Sequence, residues 1–256
     1  TLHAYQEAQP GPRWQALHAA TWPAYRRWYA QEGLAARPSL DECRRALFHH
    51  LPALIPTWER LCRLTGGDAV AARMLSMWRL PPFAVGCSQI LVPGERPILI
   101  RNYDYDQSLF EGVIASTNYS GQRRVLGTSD MLWGLLDGMN DRGLAVSLTF
   151  GGLPGTGNGF AIPLVVRYLL EVCDTVRDAR RVGDAFLHRP PHGVDQVVVH
   201  LRAPFAVARV QEPLAEAGRA AEVHLQAGVA AVREPLRLRV VAPRVAAPRP
   251  AVHVQH

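Results

Sequence analysis

A chain of 256 residues with 48% hydrophobic content is long enough for one large domain or two small ones around a sizeable core. The net charge of +6 rests on arginine alone, because the sequence holds no lysine. Those arginines are scattered and never interleaved with stacking aromatics, so nucleic acid is not expected as a partner, and no apolar run approaches the ~20 residues of a membrane span.

The chain opens on Thr1-Leu2-His3-Ala4, with neither the basic start nor the apolar run of a signal peptide. No Met precedes it, so the chain reads as a fragment. Four cysteines (Cys43, Cys62, Cys87 and Cys173) are spread without metal-ligand spacing, and a reduced, cytoplasmic protein with no metal and no cofactor is the expectation.

Residues 1 to about 80 read as helical. In "SLDECRRALFHHL", Ser39 and Glu42 have capping-box spacing, and Leu40, Cys43, Leu47, Phe48 and Leu51 follow at helical intervals. Pro52 and Pro56 interrupt that helix, "TWERLCRL" makes a second that stops at Gly66-Gly67, and Asp68 can cap "AVAARMLSMW". His49 and His50 are adjacent on their helix and point to different faces, which argues against a metal pair.

Residues 83–152 read as strands. Phe83–Val92 and Ile98–Tyr103 flank the turn "PGER", a second hairpin is expected around Ser120-Gly121, and a third turns through Asn140-Asp141-Arg142-Gly143. Residues 160–182 return to helix, with Ile162, Val165, Val166, Leu169, Leu170 and Cys173 on one face; Cys173 reads as a core thiol.

From Gly183 the character changes. Of the last 74 residues, 52 are Ala, Val, Arg, Pro or His, and Ser, Thr, Asn, Tyr, Trp, Ile, Met and Cys disappear together. This is the signature of low complexity or of a shifted reading frame in GC-rich DNA.

Cys87 is the residue around which chemistry gathers. A cysteine in an apolar strand is ordinarily a small hydrophobe. Here Gly86 precedes it and permits the close approach that peptide-bond rearrangement needs, while Arg101 and Asp104 end the next strand, which a hairpin returns to Cys87. Arg101 could stabilise a thiolate and Asp104 an ammonium. No histidine lies between His50 and His188, so a Cys-His or Ser-His-Asp arrangement is hard to build. An N-terminal nucleophile uses its own α-amine as base and needs none. Cleavage between Gly86 and Cys87 would expose it. Thr149 and backbone N–H groups near it are the candidate oxyanion donors.

The order "GCSQ", "RNYDY", "DGMNDRGLAVSLTFGG" and "GFAIPLVVRYLLEVCDTV" resembles the acyl-CoA:6-aminopenicillanic acid acyltransferase family of N-terminal-nucleophile hydrolases, and more distantly choloylglycine hydrolases. The resemblance covers about residues 1–182. It implies an α+β fold, the αββα sandwich of these hydrolases, incomplete at the C-terminus. A helical pro-segment (1–86) and a partial hydrolase core (87–182) follow from it, and composition sets off the atypical tail (183–256). It also implies self-cleavage before Cys87 and acyl transfer or hydrolysis at linear amide C–N bonds of a small-molecule amide or thioester. Cys87 is then the nucleophile, flanked by Arg101 and Asp104. Asn140 reads as structural. An Asn that supplies the oxyanion hole in the hydrolases has Thr149 or Phe150 near its place. After Val182 the strand bearing an Asn is missing, which would leave apolar sheet surface uncovered. The competing readings are an inactive or truncated member, and an interaction module using the basic tail.

Overall fold

Glu7 ties the first strand to the first helix. The computed structural model describes residues 2–81, 86–92, 98–104, 110–148, 159–187 and 206–209. In it, β1 (His3–Glu7) ends on a carboxylate that accepts the N–H groups of Gly11, Arg13 and Trp14 at 3.0–3.1 Å. These are orphan donors at the start of α1 (Pro12–Tyr29), whose own N-cap residue, Gly11, has no side chain to offer. Pro12 opens that helix, where a missing N–H costs nothing, and Arg26 and Arg27 sit in its last turn.

The expected helices of the N-terminal region follow. α2 (Leu40–His50) starts from a complete Ser39/Glu42 capping box, α3 covers Ile55–Leu64, and α4 (Ala69–Leu75) is capped by Asp68 Oδ1, which accepts from Val70 and Ala71. His50 stacks on Trp78 and meets Phe160 edge-on, acting as an aromatic. The all-helical reading of residues 1–80 is corrected at β1. That strand pairs in parallel with β4 (Val113–Thr117), His3 opposite Val113, a partner more than a hundred residues away.

β1 is the edge of a six-stranded sheet in the order β1-β4-β5-β6-β7-β8, with β5 at Val125–Asp130, β6 at Gly134–Asn140, β7 at Leu144–Ser147 and β8 at Ala206–Arg209. β2 (Gly86–Val92) and β3 (Ile98–Asp104) form a separate antiparallel pair. The fold is therefore mixed α+β.

The expected helix over 160–182 is two helices, α5 (Ile162–Val172) and α6 (Val176–Leu187). The break is local chemistry: Cys173 is extended, and Thr175 Oγ1 accepts the Asp178 N–H at 3.1 Å, an N-cap for the second helix. Leu164, Val165, Val166, Leu169 and Leu170 of α5 are buried in one core with Trp14, Leu47, Leu61 and Leu75 of the N-terminal helices and with Leu135 and Val146 of the sheet. At about 1.5–3 kcal/mol per buried side chain, this joint core is the main stabilising term. Its close fit depends on Gly138: a Cβ there would fall 2.7 Å from Leu126 O and 3.0 Å from Leu170 Cδ1, so only glycine lets α5 lie this close.

The side chains of a strand alternate, and this sorts the layers. Asn140 of β6 faces α5, donating to Leu170 O and Cys173 O, whereas Asp137, an odd number of residues away, faces the β2–β3 hairpin. The hairpin thus lies on the sheet face opposite α5. Its own outer face carries Ile90, Val92, Ile98 and Ile100, 37–55% exposed, with nothing over them among the described residues. No helix among the described residues is long and apolar enough to cross a membrane.

Candidate active site

Register brings the thiol and the guanidinium together. Cys87 pairs with Tyr103 and Gln89 with Arg101, so all four side chains share the inner face of the hairpin. Arg101 Nη2 donates to Cys87 Sγ at 3.6 Å, and its Nη1 donates to Asp137 Oδ2 at 2.6 Å. Gln89 fixes the hairpin to the sheet a second time, donating to Ser147 Oγ at 3.0 Å and to Leu148 O at 2.6 Å. The Arg101 side chain is only 6% exposed. Burial opposes its charge, but the Cys87 and Asp137 partners outweigh this and raise its pKa, so it is a fixed cation against the sulfur. The guanidinium also lies 4.7 Å from the centre of the Tyr103 ring.

Burial pushes Cys43 up, Cys62 to about 12 and Cys173 to about 11, which keeps these three thiols protonated and unreactive.

Asp104 stands apart from this group. It is opposite Gly86 in the register, next to the Gly86–Cys87 bond, but parity sends its carboxylate to the exposed outer face, where Asn102 donates to it. Thr149, and Phe150 beside it, lie outside the described residues. Asn140 is saturated: its Nδ2 donates to two carbonyls at 2.8–2.9 Å, and its Oδ1 accepts from Arg142 and Leu144 N–H at 3.0–3.1 Å. It closes the β6–β7 turn and the end of α5, with no capacity left for a substrate.

Asp137 was invisible as a site residue in the sequence, where it is one letter of a turn motif. The available signal was a carboxylate inside the strand "GLLDGMN" directly before a glycine, on the face opposite Asn140. Also unread was a cluster beneath Tyr103. The Tyr103 hydroxyl donates to Asp130 Oδ2 at 3.3 Å, while the Tyr25 hydroxyl lies 2.5 Å from Glu111 Oε1 and 3.3 Å from Asp130 Oδ1. Among the described residues no group of three or more His, Cys, Asp or Glu could hold a metal ion.

Residues 92–213 match the family model of acyl-coenzyme A:6-aminopenicillanic acid acyl-transferase. This is the family that the motifs resemble. The match begins downstream of Cys87, so it bears on Arg101, Asp104 and Asp137 and not on the thiol. It also runs beyond Val182 to include β8, so residues 183–213 of the compositionally odd tail lie inside the matched stretch. A search of curated proteins found no match.

Proposed function

We propose that the protein is a self-processing cysteine acyltransferase or hydrolase that acts on linear amide C–N bonds, with Cys87 as nucleophile. The observation that carries this reading is the Arg101 bridge: a buried cation held by Asp137 against the one thiol that follows a glycine at a strand start. The family match supports acyl transfer on small-molecule acyl substrates.

Processing begins with Cys87 sulfur attacking the Gly86 carbonyl carbon. The C–N bond breaks, the nitrogen takes a proton, and a Gly86 thioester forms. Water hydrolyses it, leaving a Gly86 carboxylate and a Cys87 bearing a free thiol and a free α-amine. That amine, with an ordinary pKa of about 7.7–8.0, takes the thiol proton. The thiolate, stabilised by Arg101, then attacks an amide or thioester carbonyl, and collapse expels the amine or thiol with the proton returned from the ammonium. Water or an acceptor amine attacks the acyl-enzyme and restores the thiol. Asp104 is assigned to the ammonium: its register partner is Gly86, so cleavage creates the positive charge beside it. Thr149 is assigned to the oxyanion. The sandwich of the family, with residues 1–86 as pro-segment, is the architecture we infer around this site.

A second reading, an incomplete and inactive member, is favoured by the exposed Ile90, Val92, Ile98 and Ile100, which have nothing over them among the described residues. A frame change in the tail belongs to that reading, and sequencing the coding DNA tests it. Intact-mass spectrometry of freshly expressed protein separates the two. The active reading expects fragments of residues 1–86 and 87–256, and none from Cys87→Ala; a folded wild-type chain that stays whole would overturn it.

A further inference from the structure

The chain reaches Cys87 from a direction that the mechanism above does not use. Tyr103 is the cross-strand neighbour of Cys87, on the same face, and three contacts hold it: the Arg101 guanidinium over its ring, Phe110 edge-on at 5.5 Å, and Asp130 accepting its hydroxyl proton. Asp130 is held in turn. Its Oδ1 accepts the Met131 N–H at 2.9 Å, and Tyr25 of α1 sits between it and Glu111.

The backbone at this point is strained. Met131 and Leu132, neither of them glycine, have φ of 55° and 72° in the turn between β5 and β6. The strain persists because the surroundings over-determine it. Leu132 N–H donates to Glu111 Oε1 at 2.6 Å, Met131 N–H donates to the Tyr25 hydroxyl at 3.1 Å, and Trp14 Nε1–H donates to Leu132 O at 2.9 Å. Two of these braces, Tyr25 and Trp14, come from a helix that precedes the proposed cleavage point.

We propose that Tyr103, held by the Tyr25–Glu111–Asp130 cluster, is a positioning residue for the Cys87 thiol, so that helix α1 before the scissile bond sets the reactivity of the nucleophile after it. This rests on the reading of Cys87 as nucleophile. The charged and titratable groups that act on the cluster are Tyr25 from α1, Tyr5 from β1, Tyr103 and Arg101 from β3, and Asp130 beside Glu111. Arg101 is the cation acting on Asp130. Burial, and then the Asp130 charge, push Glu111 up to about 8, which favours its protonated form at neutral pH. Loss of that proton places a further negative charge in the cluster that fixes Tyr103.

The test is the rate at which iodoacetamide labels Cys87, read by peptide mass on the full chain from about pH 6 to about pH 9.5, with cleavage at Gly86–Cys87 followed in parallel. Glu111→Gln keeps a neutral acceptor at Oε1. In the ratio of its rate to the wild-type rate, the titration of the thiol itself cancels. That ratio is expected to be near one at low pH and to change at least about fivefold as Glu111 ionises, while Tyr103→Phe and Tyr25→Phe shift the rate about fivefold or more throughout. A flat ratio, or wild-type rates for Tyr103→Phe in a protein with an unchanged melting profile, overturns the proposal. Absence of cleavage in every variant overturns the catalytic reading instead, and the labelling ratio still decides this one.

Discussion

Arg101 and Asp137 join the two-stranded hairpin to the six-stranded sheet through a 2.6 Å ion pair, and the same guanidinium donates to Cys87 Sγ at 3.6 Å. The pair therefore has two jobs, docking the hairpin and charging the thiol environment. Asp137→Asn separates them. It leaves an amide that can still accept from Arg101 but carries no counter-charge for a 6%-exposed cation. Because Asp137 is 30% exposed, the cost is below that of breaking a fully buried pair, about 1–3 kcal/mol, visible as a lower melting temperature.

Arg101→Lys is expected to be more harmful to chemistry than to folding. Lysine keeps the charge but not the fork that reaches Asp137 and Cys87 with two separate nitrogens. Self-cleavage and acyl turnover should fall about tenfold or more, equivalent to about 1.4 kcal/mol of barrier, with the melting temperature moving by a few degrees. Wild-type turnover in this variant would remove Arg101 from the mechanism.

The local signals were legible in the sequence and the long-range ones were not. The Ser39/Glu42 capping box, the Asp68 cap and the turn through Asn140–Gly143 each lie within a few residues, and each formed as read. So did the meeting of Cys87 with Arg101, because a hairpin of adjacent strands leaves little freedom of register. β1 escaped notice because five residues carry little periodicity and its partner is β4, reached only through the intervening helices. The helix break at Cys173 had its signal in Thr175 and Asp178, masked by an apolar period that continues across it. Asp137, Glu111 and Tyr25 come from three distant segments, and only the stacking of hairpin on sheet and helix on turn gives them partners. Asp104 follows from strand parity: two positions that look adjacent in "RNYD" face opposite ways.

Asn140 offers a test of structure without catalysis. Its amide donates to two carbonyls and its oxygen accepts two N–H groups, all buried. Asn140→Ala should cost about 2–4 kcal/mol by leaving several of these unpaired. Asn140→Asp should be worse at neutral pH, since a carboxylate would face the Leu170 and Cys173 carbonyl oxygens, and should recover as the pH falls and the carboxyl regains a donor. Thermal melts of both variants between about pH 4 and 7 check the sign.

If cleavage occurs at Gly86–Cys87, the two pieces should stay together. β1 is a strand of the main sheet, Trp14 Nε1–H donates to Leu132 O, Trp133 Nε1–H donates to Leu75 O, and one core contains residues from both sides of the cut. Native gel filtration should therefore give a single species holding both fragments, which separate only in denaturant. A freely dissociating N-terminal piece would mean that this shared core does not form.

The buried Glu111 makes stability depend on pH in a stated direction. Burial, reinforced by Asp130, raises its pKa to about 8 in the folded chain from the ordinary 4.5. Folding therefore favours the protonated form. Its contribution is fully present below about pH 4.5 and is lost as the pH rises through the folded value of about 8. Asp130 is also raised, by burial first, against the opposing hydrogen bonds of Met131, Tyr103 and Tyr25 and the Arg101 charge, so it acts in the same sense. Glu111→Gln keeps the acceptor for Leu132 N–H and the Tyr25 hydroxyl, and its amide can donate to Ser129 Oγ where Glu111 Oε2 now stands 3.4 Å away. The variant should match wild type near pH 5 and exceed it near pH 8.5, by a margin on the order of a few kcal/mol at most. Urea unfolding midpoints at the two pH values measure this directly. Parallel pH curves for the two proteins would show that the Glu111 proton takes no part in folding.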